Sequence, residues 1–331
     1  MKALLSRAPG GPDTLVLDEI PAPRVGAGQL LLEVRAVGVN YPDVLIIQDL
    51  YQYKPPRPFS PGGEISGVVR EVGPDVAAFK VGDRVVGLPG SGGMAELVAV
   101  DAKACAPIPP SMPFDEAAAF PFTYGTSYHA LKQRAALKAG ETLLVLGAAG
   151  GVGIAAVELG KCLGARVVAA ASSQEKIEFA KRCGADETVV YPRGALDRSA
   201  QTALSDAFKQ ACGGGADVVY DAVGGDYAEP ALRALNWTGR FLVVGFPAGI
   251  PRIALNLPLL KGCQIVGVFW GAWVAREPAA HAANMRDLLG WYLSGKIRPR
   301  ISARFPLERG GDAIRELAER RALGKVVVTI P

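Results

Sequence analysis

Histidine is scarce in this 331-residue sequence, which contains only two, His129 and His281. Catalytic zinc takes about three protein ligands, mostly imidazole or thiolate, and catalytic triads use a histidine base. The cysteines are also few, odd in number and far apart, with no Cys-x-x-Cys pair: Cys105, Cys162, Cys183, Cys212 and Cys263. This usage argues against a disulfide framework, a structural zinc site and histidine-based chemistry.

Long apolar runs and concentrated charge are missing as well. No run approaches the roughly 20 residues of a membrane span. The first residues, 1–7, lead straight into a Pro/Gly turn instead of a signal peptide. The net charge is only +4, from 36 basic and 32 acidic residues that are scattered along the chain. We therefore expect a cytoplasmic protein with no membrane partner, and we do not expect nucleic-acid binding.

The sequence is rich in glycine and apolar residues, with 40 Gly, 25 Pro and 50% hydrophobic residues. At roughly 150 residues per domain, the length suggests two domains. Short strand candidates separated by turns fill about the first 120 residues, at 29–39, 64–73, 82–87 and 95–100. From about 140 to 262, apolar strands alternate with amphipathic helices. This pattern predicts an α/β fold, with a β-rich domain and a doubly wound parallel sheet.

A glycine-rich turn follows the apolar strand predicted at 142–146 and precedes a helix predicted at about 151–163. The turn reads Gly147-Ala148-Ala149-Gly150-Gly151-Val152-Gly153, with Ala148 at the position of the first glycine of G-x-G-x-x-G. Gly150 lets the backbone approach a pyrophosphate, and Gly153 lets helix and strand pack closely. The helix N-terminus then offers N–H groups to the phosphates. Strand, turn and helix together predict a dinucleotide site.

The end of the next strand indicates which dinucleotide binds. An NAD site usually carries Asp or Glu about 20 residues on, to hold the ribose 2′-hydroxyl. This chain has Ser172, Ser173 and Lys176 there, with no acid at the strand end. Two hydroxyls and a lysine suit a 2′-phosphate, so we predict NADPH as the cofactor. The serines can also serve as the helix N-cap.

Six stretches together resemble one known family. They are VNYPD at 39–43, PGGEISG at 61–67, FKVGDRV at 79–85, GTSYHAL at 125–131, AAGGVG at 148–153 and GKVV at 324–327. Over essentially the whole chain, the sequence resembles the zinc-free quinone oxidoreductase (zeta-crystallin-like) branch of the medium-chain dehydrogenase/reductases. Zinc-dependent relatives carry Gly-His-Glu where this chain has Gly62-Gly63-Glu64. The resemblance therefore implies a metal-free enzyme.

The resemblance also implies a domain organisation. A GroES-like catalytic domain would take residues 1–124 and a Rossmann domain residues 125–262. Residues 263–331 would end the Rossmann sheet and return to the catalytic domain, with the active site in the cleft. Such enzymes are usually homodimers or tetramers.

The chemistry implied is transfer of hydride from NADPH to a quinone or another α,β-unsaturated carbonyl. Asn40 matches an asparagine that lines the active site in the family, although it could instead hold its own turn. Tyr41, Tyr51 and Tyr53 offer phenols that could bind the oxygen or donate a proton, with plain packing as the alternative. Without zinc, Asp43 and Glu64 are interpreted as structural hydrogen-bond acceptors.

The cofactor site predicted from strand ends and family motifs is larger. It comprises Tyr124, Thr126, Ala149, Gly150, Gly151, Val152, Gly153, Ser172, Ser173, Lys176, Tyr191, Val223, Gly245, Phe246, Phe269, Trp270 and Lys325. Tyr191 is expected near the adenine, and Phe269 and Trp270 as walls of the cleft.

Two other functions stay open at this point. An enoyl-thioester reductase of the same superfamily would need a larger cleft with a basic mouth; Lys54 and Arg57 lie on the relevant loop without deciding the matter. The second open function is that of a binding protein that senses NADPH or RNA without catalysis. The substrate itself cannot be read from the motifs.

Overall fold

A computed structural model describes the whole chain, Met1 to Pro331. Its strands are β1 (Lys2–Ser6), β2 (Leu15–Glu19), β3 (Gln29–Val39), β4 (Ile65–Val72), β5 (Arg84–Gly87), β6 (Leu97–Asp101), β7 (Cys105–Pro107), β8 (Thr142–Leu146), β9 (Arg166–Ala171), β10 (Glu187–Val190), β11 (Ala216–Asp221), β12 (Leu235–Val243), β13 (Gln264–Gly267), β14 (Ile301–Pro306) and β15 (Lys325–Thr329).

The α-helices are α1 (Tyr41–Ile46), α2 (Phe114–Ala118), α3 (Pro121–His129), α4 (Gly151–Cys162), α5 (Gln174–Arg182), α6 (Arg198–Ala211), α7 (Ala228–Arg233), α8 (Asn256–Lys261), α9 (Trp270–Arg276), α10 (Pro278–Leu293) and α11 (Gly310–Ala318). A π-helical turn, Ala130–Arg134, continues α3. No helix has the length and the apolar character needed to cross a membrane.

The chain divides into two compact units, residues 1–122 with 299–331 and residues 123–298. The first unit is built on a seven-stranded sheet in the order β14-β15-β3-β4-β5-β7, with β6 also paired to β3. Along β3, partly exposed and buried residues alternate from Gln29 to Ala36, as expected for a strand with one face on a core. Gly38 is required where α2 crosses this strand, because a Cβ there would lie 1.8 Å from the Ala118 carbonyl oxygen.

The second unit holds a six-stranded parallel sheet in the order β10-β9-β8-β11-β12-β13. Residues 143–146 of β8 are all buried, as in a strand covered on both faces. The strand order reverses between β8 and β11, which is where doubly wound sheets bind ligands. The predicted α/β class with a doubly wound sheet is confirmed.

The second unit includes the end of the parallel sheet, which the prediction placed within residues 263–331. The predicted Rossmann segment ended at residue 262, but the second unit continues to Arg298. Strand β13 pairs with β12 and extends the parallel sheet. Helix α10 is then tied to α3 and its π-helical turn through Asn284 and Asp287, which bond Gln133 and Tyr128. The chain returns to the first unit only at Pro299.

Candidate active site

A buried polar network occupies the first unit. Glu64 is fully buried, and its Oε2 accepts hydrogen bonds from Asn40 Nδ2 and Lys325 Nζ, both at 2.9 Å. The Phe122 amide donates to Oε1 at 2.7 Å. Lys325, only 4% exposed, also donates to Asn40 Oδ1 at 2.8 Å. All of these hydrogen bonds to Glu64 and Lys325 are short. Such bonds offset the cost of burying both charges.

Three strand ends bring these residues together. Asn40 directly follows β3, and Lys325 begins β15, which runs antiparallel to β3 with Val326 opposite Val39. Glu64 precedes β4, whose Ile65 pairs with Val37 of β3. The sequence motifs named each residue separately. Lys325 was predicted at the cofactor; in the structure its ammonium donates to Glu64 and Asn40.

Asp43 forms the second layer of this network. Its Oδ2 accepts from the Asn40 backbone N–H at 2.8 Å and its Oδ1 from the Gly62 N–H at 3.1 Å. Burial raises the pKa of Asp43 to about 6, against the lowering effect of these two hydrogen bonds. Both Asp43 and Glu64 thus accept structural hydrogen bonds, as the sequence suggested.

Asn40 is fully engaged inside the protein. Its Nδ2 donates to the Gly38 carbonyl oxygen at 3.0 Å as well as to Glu64. Since an amide has two N–H donors, neither is left for a substrate oxygen in this arrangement. The network fixes the side chain and its turn.

The three predicted tyrosines differ in exposure and partners. Tyr41 opens α1, and it and Tyr51 pack against the core of the first unit. Burial, with a smaller effect from Asp43, raises the pKa of Tyr51, so its phenol stays protonated. Tyr53 is 46% exposed, and its hydroxyl lies 3.2 Å from Ser91 Oγ. Tyr51 therefore keeps its O–H group as a donor.

The position that carries histidine in zinc-dependent relatives does not suit a metal ligand here. A Cβ at Gly63 would lie 2.9 Å from the Gly90 carbonyl oxygen, because the 90–94 segment bonds back onto the Pro61–Gly62 turn. The histidines lie elsewhere, in the second unit, where the His129 and Trp273 rings stack at 4.2 Å. No three His, Cys, Asp or Glu side chains converge as metal ligands. The residues present do not fit a zinc ion.

The glycine turn in the second unit has the form expected for a phosphate cradle. Gly150 is the N-cap residue of α4, and no side chain caps this helix. The N–H groups of the first turn, from Gly151, Val152 and Gly153, point from an uncapped helix end. A Cβ at Gly153 would lie 2.1 Å from the Gly147 carbonyl oxygen, and Ala149 within the turn is buried. The residues fit a bound dinucleotide.

The end of β9 is basic and hydroxylic. Ser173 caps α5 by accepting from the Lys176 N–H at 3.4 Å. Ser172 Oγ accepts from Arg193 Nε at 3.3 Å. Arg193 was not identified from the sequence, although it stands three residues after the last residue of β10. No carboxylate occupies the place that an NAD site gives to one.

Other predicted cofactor residues flank the ends of β10, β11 and β12. The Val223 side chain packs beside Gly147, and Gly245 donates its N–H to the Asp221 carbonyl. Phe246 is exposed. Tyr191 is 6% exposed, and its ring packs against Tyr227 at 4.8 Å. The structure brings Val223 and Gly245 to the same sheet edge as the glycine turn.

The residues predicted in α3 and around the start of α9 differ in burial and in their contacts. Tyr124 is buried and donates its hydroxyl to Glu158 Oε2 at 2.6 Å, while Thr126 is half-buried. Phe269 is 58% exposed before α9. Trp270 is buried against α3, where a Cβ at Gly125 would meet its ring at 2.7 Å. Of this group, Phe269 is the side chain with a large exposed apolar surface.

Asp221 supports the β11 end of this site and makes the stability depend on pH. Its buried Oδ1 accepts from the Val223 and Gly224 N–H groups, both at 2.9 Å, and burial raises its pKa from 3.8 to about 6. Because the folded state then holds its proton more tightly, the free energy of unfolding falls as pH rises through this window. The substitution Asp221→Asn keeps an oxygen that accepts these hydrogen bonds and removes the charge.

We expect the wild type to lose about 2 kcal/mol of unfolding free energy relative to Asp221→Asn between about pH 4 and pH 7. Denaturation curves at both pH values measure this difference. Asp43 titrates over the same range in both proteins, so its contribution cancels. If the difference in unfolding free energy between the two proteins does not change with pH, the raised pKa of Asp221 is contradicted.

Comparison with known proteins identifies both units. Residues 26–110 match the alcohol dehydrogenase GroES-like domain and residues 151–285 the zinc-binding dehydrogenase family. The chain is 39% identical over 318 residues to quinone oxidoreductase-like protein 2 of Bos taurus, covering 96% of this chain and 89% of that protein.

Two solved structures show the same fold. A probable oxidoreductase from Mycobacterium abscessus superposes with a TM-score of 0.89 at 36% identity, covering 100% of this chain and 99% of that one. The Escherichia coli quinone oxidoreductase in complex with NADPH gives a TM-score of 0.89 at 26% identity, with 100% of both chains covered. The protein is thus an oxidoreductase, and it belongs to the quinone oxidoreductase branch of the medium-chain dehydrogenase/reductase superfamily.

Proposed function

We propose that this protein is an NADPH-dependent reductase that transfers hydride to a quinone or another α,β-unsaturated carbonyl compound without a metal. The observation that carries the cofactor assignment is the end of β9, where Ser172, Ser173 and Lys176 stand in place of a carboxylate. The NADPH bound by the E. coli quinone oxidoreductase supports the same assignment.

When bound, NADPH supplies the hydride, and the protein supplies binding, orientation and hydrogen bonds. The uncapped N-terminus of α4 binds the pyrophosphate through the N–H groups of Gly151, Val152 and Gly153. Ser172, Ser173 and Lys176 bind the 2′-phosphate. The close packing at Gly153 holds the helix end at a fixed distance from β8.

The acceptor must already be electron-poor. A simple alcohol or ketone reaction in this superfamily uses a Lewis acid to polarise the oxygen. The side chains near Gly63 do not fit a metal ion, and Lys325 is held in an ion pair with Glu64. A conjugated carbonyl accepts hydride without such activation, which favours a quinone or an enone.

Charge on the acceptor oxygen is stabilised by hydrogen-bond donors aimed at it. We propose the Tyr53 phenol as the first donor, because it is exposed and the Ser91 hydroxyl can donate to its oxygen. Tyr51 and Tyr41 are the further candidates. Asn40 acts through the network with Glu64 and Lys325, positioning the Val39–Pro42 turn that leads into α1. Oligomerisation and a cytoplasmic location stay predictions.

A screen of NADPH oxidation tests this proposal. Purified protein of known metal content is mixed with NADPH and with quinones, enones, enals and enoyl-CoA thioesters. We expect turnover with a quinone or an enone by protein that contains no stoichiometric zinc. Turnover with enoyl thioesters alone would assign the protein to the thioester reductases. Tight NADPH binding with no turnover on any class would indicate a binding protein, and either result would overturn the proposal.

A further inference from the structure

Arg193 lies at the ribose end of the predicted cofactor site. Strands β9 and β10 are parallel, with Ala171 opposite Val190, so the residues after both strands emerge at one edge of the sheet. Ser172 follows β9 directly, and the Arg193 guanidinium donates to its hydroxyl at 3.3 Å. The bond joins two residues that are separated by 21 positions in the sequence.

The loop that carries Arg193 is anchored on both sides of it. The Tyr227 hydroxyl lies 2.8 Å from the Pro192 carbonyl oxygen and 3.1 Å from the Gly194 carbonyl oxygen, and its one hydrogen is shared between them. Further along, the Leu196 N–H donates to Asp226 Oδ2 at 2.9 Å. Two carbonyls held by one phenol fix the backbone around Arg193, while its side chain stays exposed. A fixed base with a free cationic end is the arrangement expected of a ligand-binding arginine.

The charge of Arg193 is not neutralised by the protein. No carboxylate lies within ion-pair distance of its guanidinium, in contrast to Arg7, Arg57 and Arg240, each of which pairs with an acid. Its neutral partner, Ser172, can accept from the guanidinium and still donate its own hydrogen. The pair therefore presents several donors and one positive charge to an anion.

We propose that Arg193 binds the 2′-phosphate of NADPH together with Ser172 and Lys176, and that it determines the preference for NADPH over NADH. This inference rests on the proposed cofactor. A guanidinium offers a planar fork of N–H donors that matches phosphate oxygens, whereas the Lys176 ammonium acts as a point charge. Arg193 supplies the directional part of the recognition.

Calorimetric titration with four ligands tests the role of Arg193. NADPH and 2′,5′-ADP carry the 2′-phosphate, while NADH and 5′-AMP lack it. We expect Arg193→Ala to weaken binding of the first two by about 10- to 100-fold, as for hydrogen bonds to a charged group. Binding of NADH and 5′-AMP should stay within about twofold. Arg193→Lys should recover only part of the loss, because it restores charge without the fork.

Arg182→Ala is the matched control, since it removes an exposed arginine at the far end of α5 and should change none of the four affinities. Equal losses for NADPH and NADH would show that Arg193 merely supports the loop, and unchanged NADPH binding would show that it plays no part. Both results overturn the inference. A wild-type protein that binds 2′,5′-ADP no better than 5′-AMP would overturn the proposed cofactor as well, and that failure is visible without any variant.

Discussion

Lys325→Met is expected to lower the free energy of unfolding by about 3 to 5 kcal/mol. The substitution removes the ammonium that donates to Glu64 Oε2 and Asn40 Oδ1. Glu64 would then hold a buried charge with only two neutral N–H donors, from Asn40 and Phe122. A buried charge without its partner costs far more than the intact pair contributes, which sets the size of the effect.

A double variant separates the cost of the orphaned charge from the loss of packing. Glu64→Gln together with Lys325→Met removes both charges while keeping similar side-chain volumes. We expect the double variant to be destabilised by less than the sum of the two single variants, with an interaction of about 1 to 3 kcal/mol. Equilibrium denaturation of the four proteins gives this value.

The exposed pair between Lys2 and Glu308, at 3.7 Å, provides the control. Lys2→Met should change the unfolding free energy by less than about 1 kcal/mol, as for surface ion pairs. Additive losses from the two buried substitutions would mean that Lys325 and Glu64 do not act as a pair.

Gly153→Ala is the second substitution with a large expected effect. The added Cβ would lie 2.1 Å from the Gly147 carbonyl oxygen, a backbone atom that cannot move without separating α4 from β8. Overpacking at such a site costs about 1 to 3 kcal/mol. Because the helix end shifts, NADPH binding should fall as well. Thermal unfolding and cofactor titration measure the two effects.

Gly150→Ala is the matched variant, with the same methyl group three residues earlier. Its Cβ would lie 3.4 Å from the same carbonyl oxygen, an ordinary contact. The fold should therefore stay within about 1 kcal/mol of the wild type, while the methyl group occupies the approach of the pyrophosphate and weakens NADPH binding by more than about tenfold. Unchanged NADPH binding in Gly150→Ala would contradict the assignment of this turn as the phosphate site.

Local patterns were enough to predict the elements that carry the cofactor turn. The apolar run of β8, the glycines after it and the start of α4 are adjacent in sequence, so their meaning does not depend on distant residues. The alternation along β3 likewise reflects a single core face. Such features are set by the period of each element and by the conformational freedom of glycine.

The contacts that define the rest of the site are between distant parts of the chain. Lys325 and Asn40 are 285 positions apart, and only the antiparallel register of β15 and β3 brings them together. The contact between Arg193 and Ser172, on which its proposed role depends, likewise requires the parallel pairing of β9 and β10. The return to the first unit at Pro299 similarly depends on how α10 packs. Sequence motifs could name some of these residues, but not their partners.

Hydride transfer from NADPH to a conjugated carbonyl is tested most directly by following the hydride into the product. NADPH with deuterium at both C4 positions of the nicotinamide is oxidised by the purified, metal-free protein with an enone substrate. We expect one deuterium at the β-carbon of the saturated ketone for each NADPH consumed. Oxidation of NADPH without deuterium in the product, or no reduction of the enone and of the quinones by protein that binds NADPH, would contradict it.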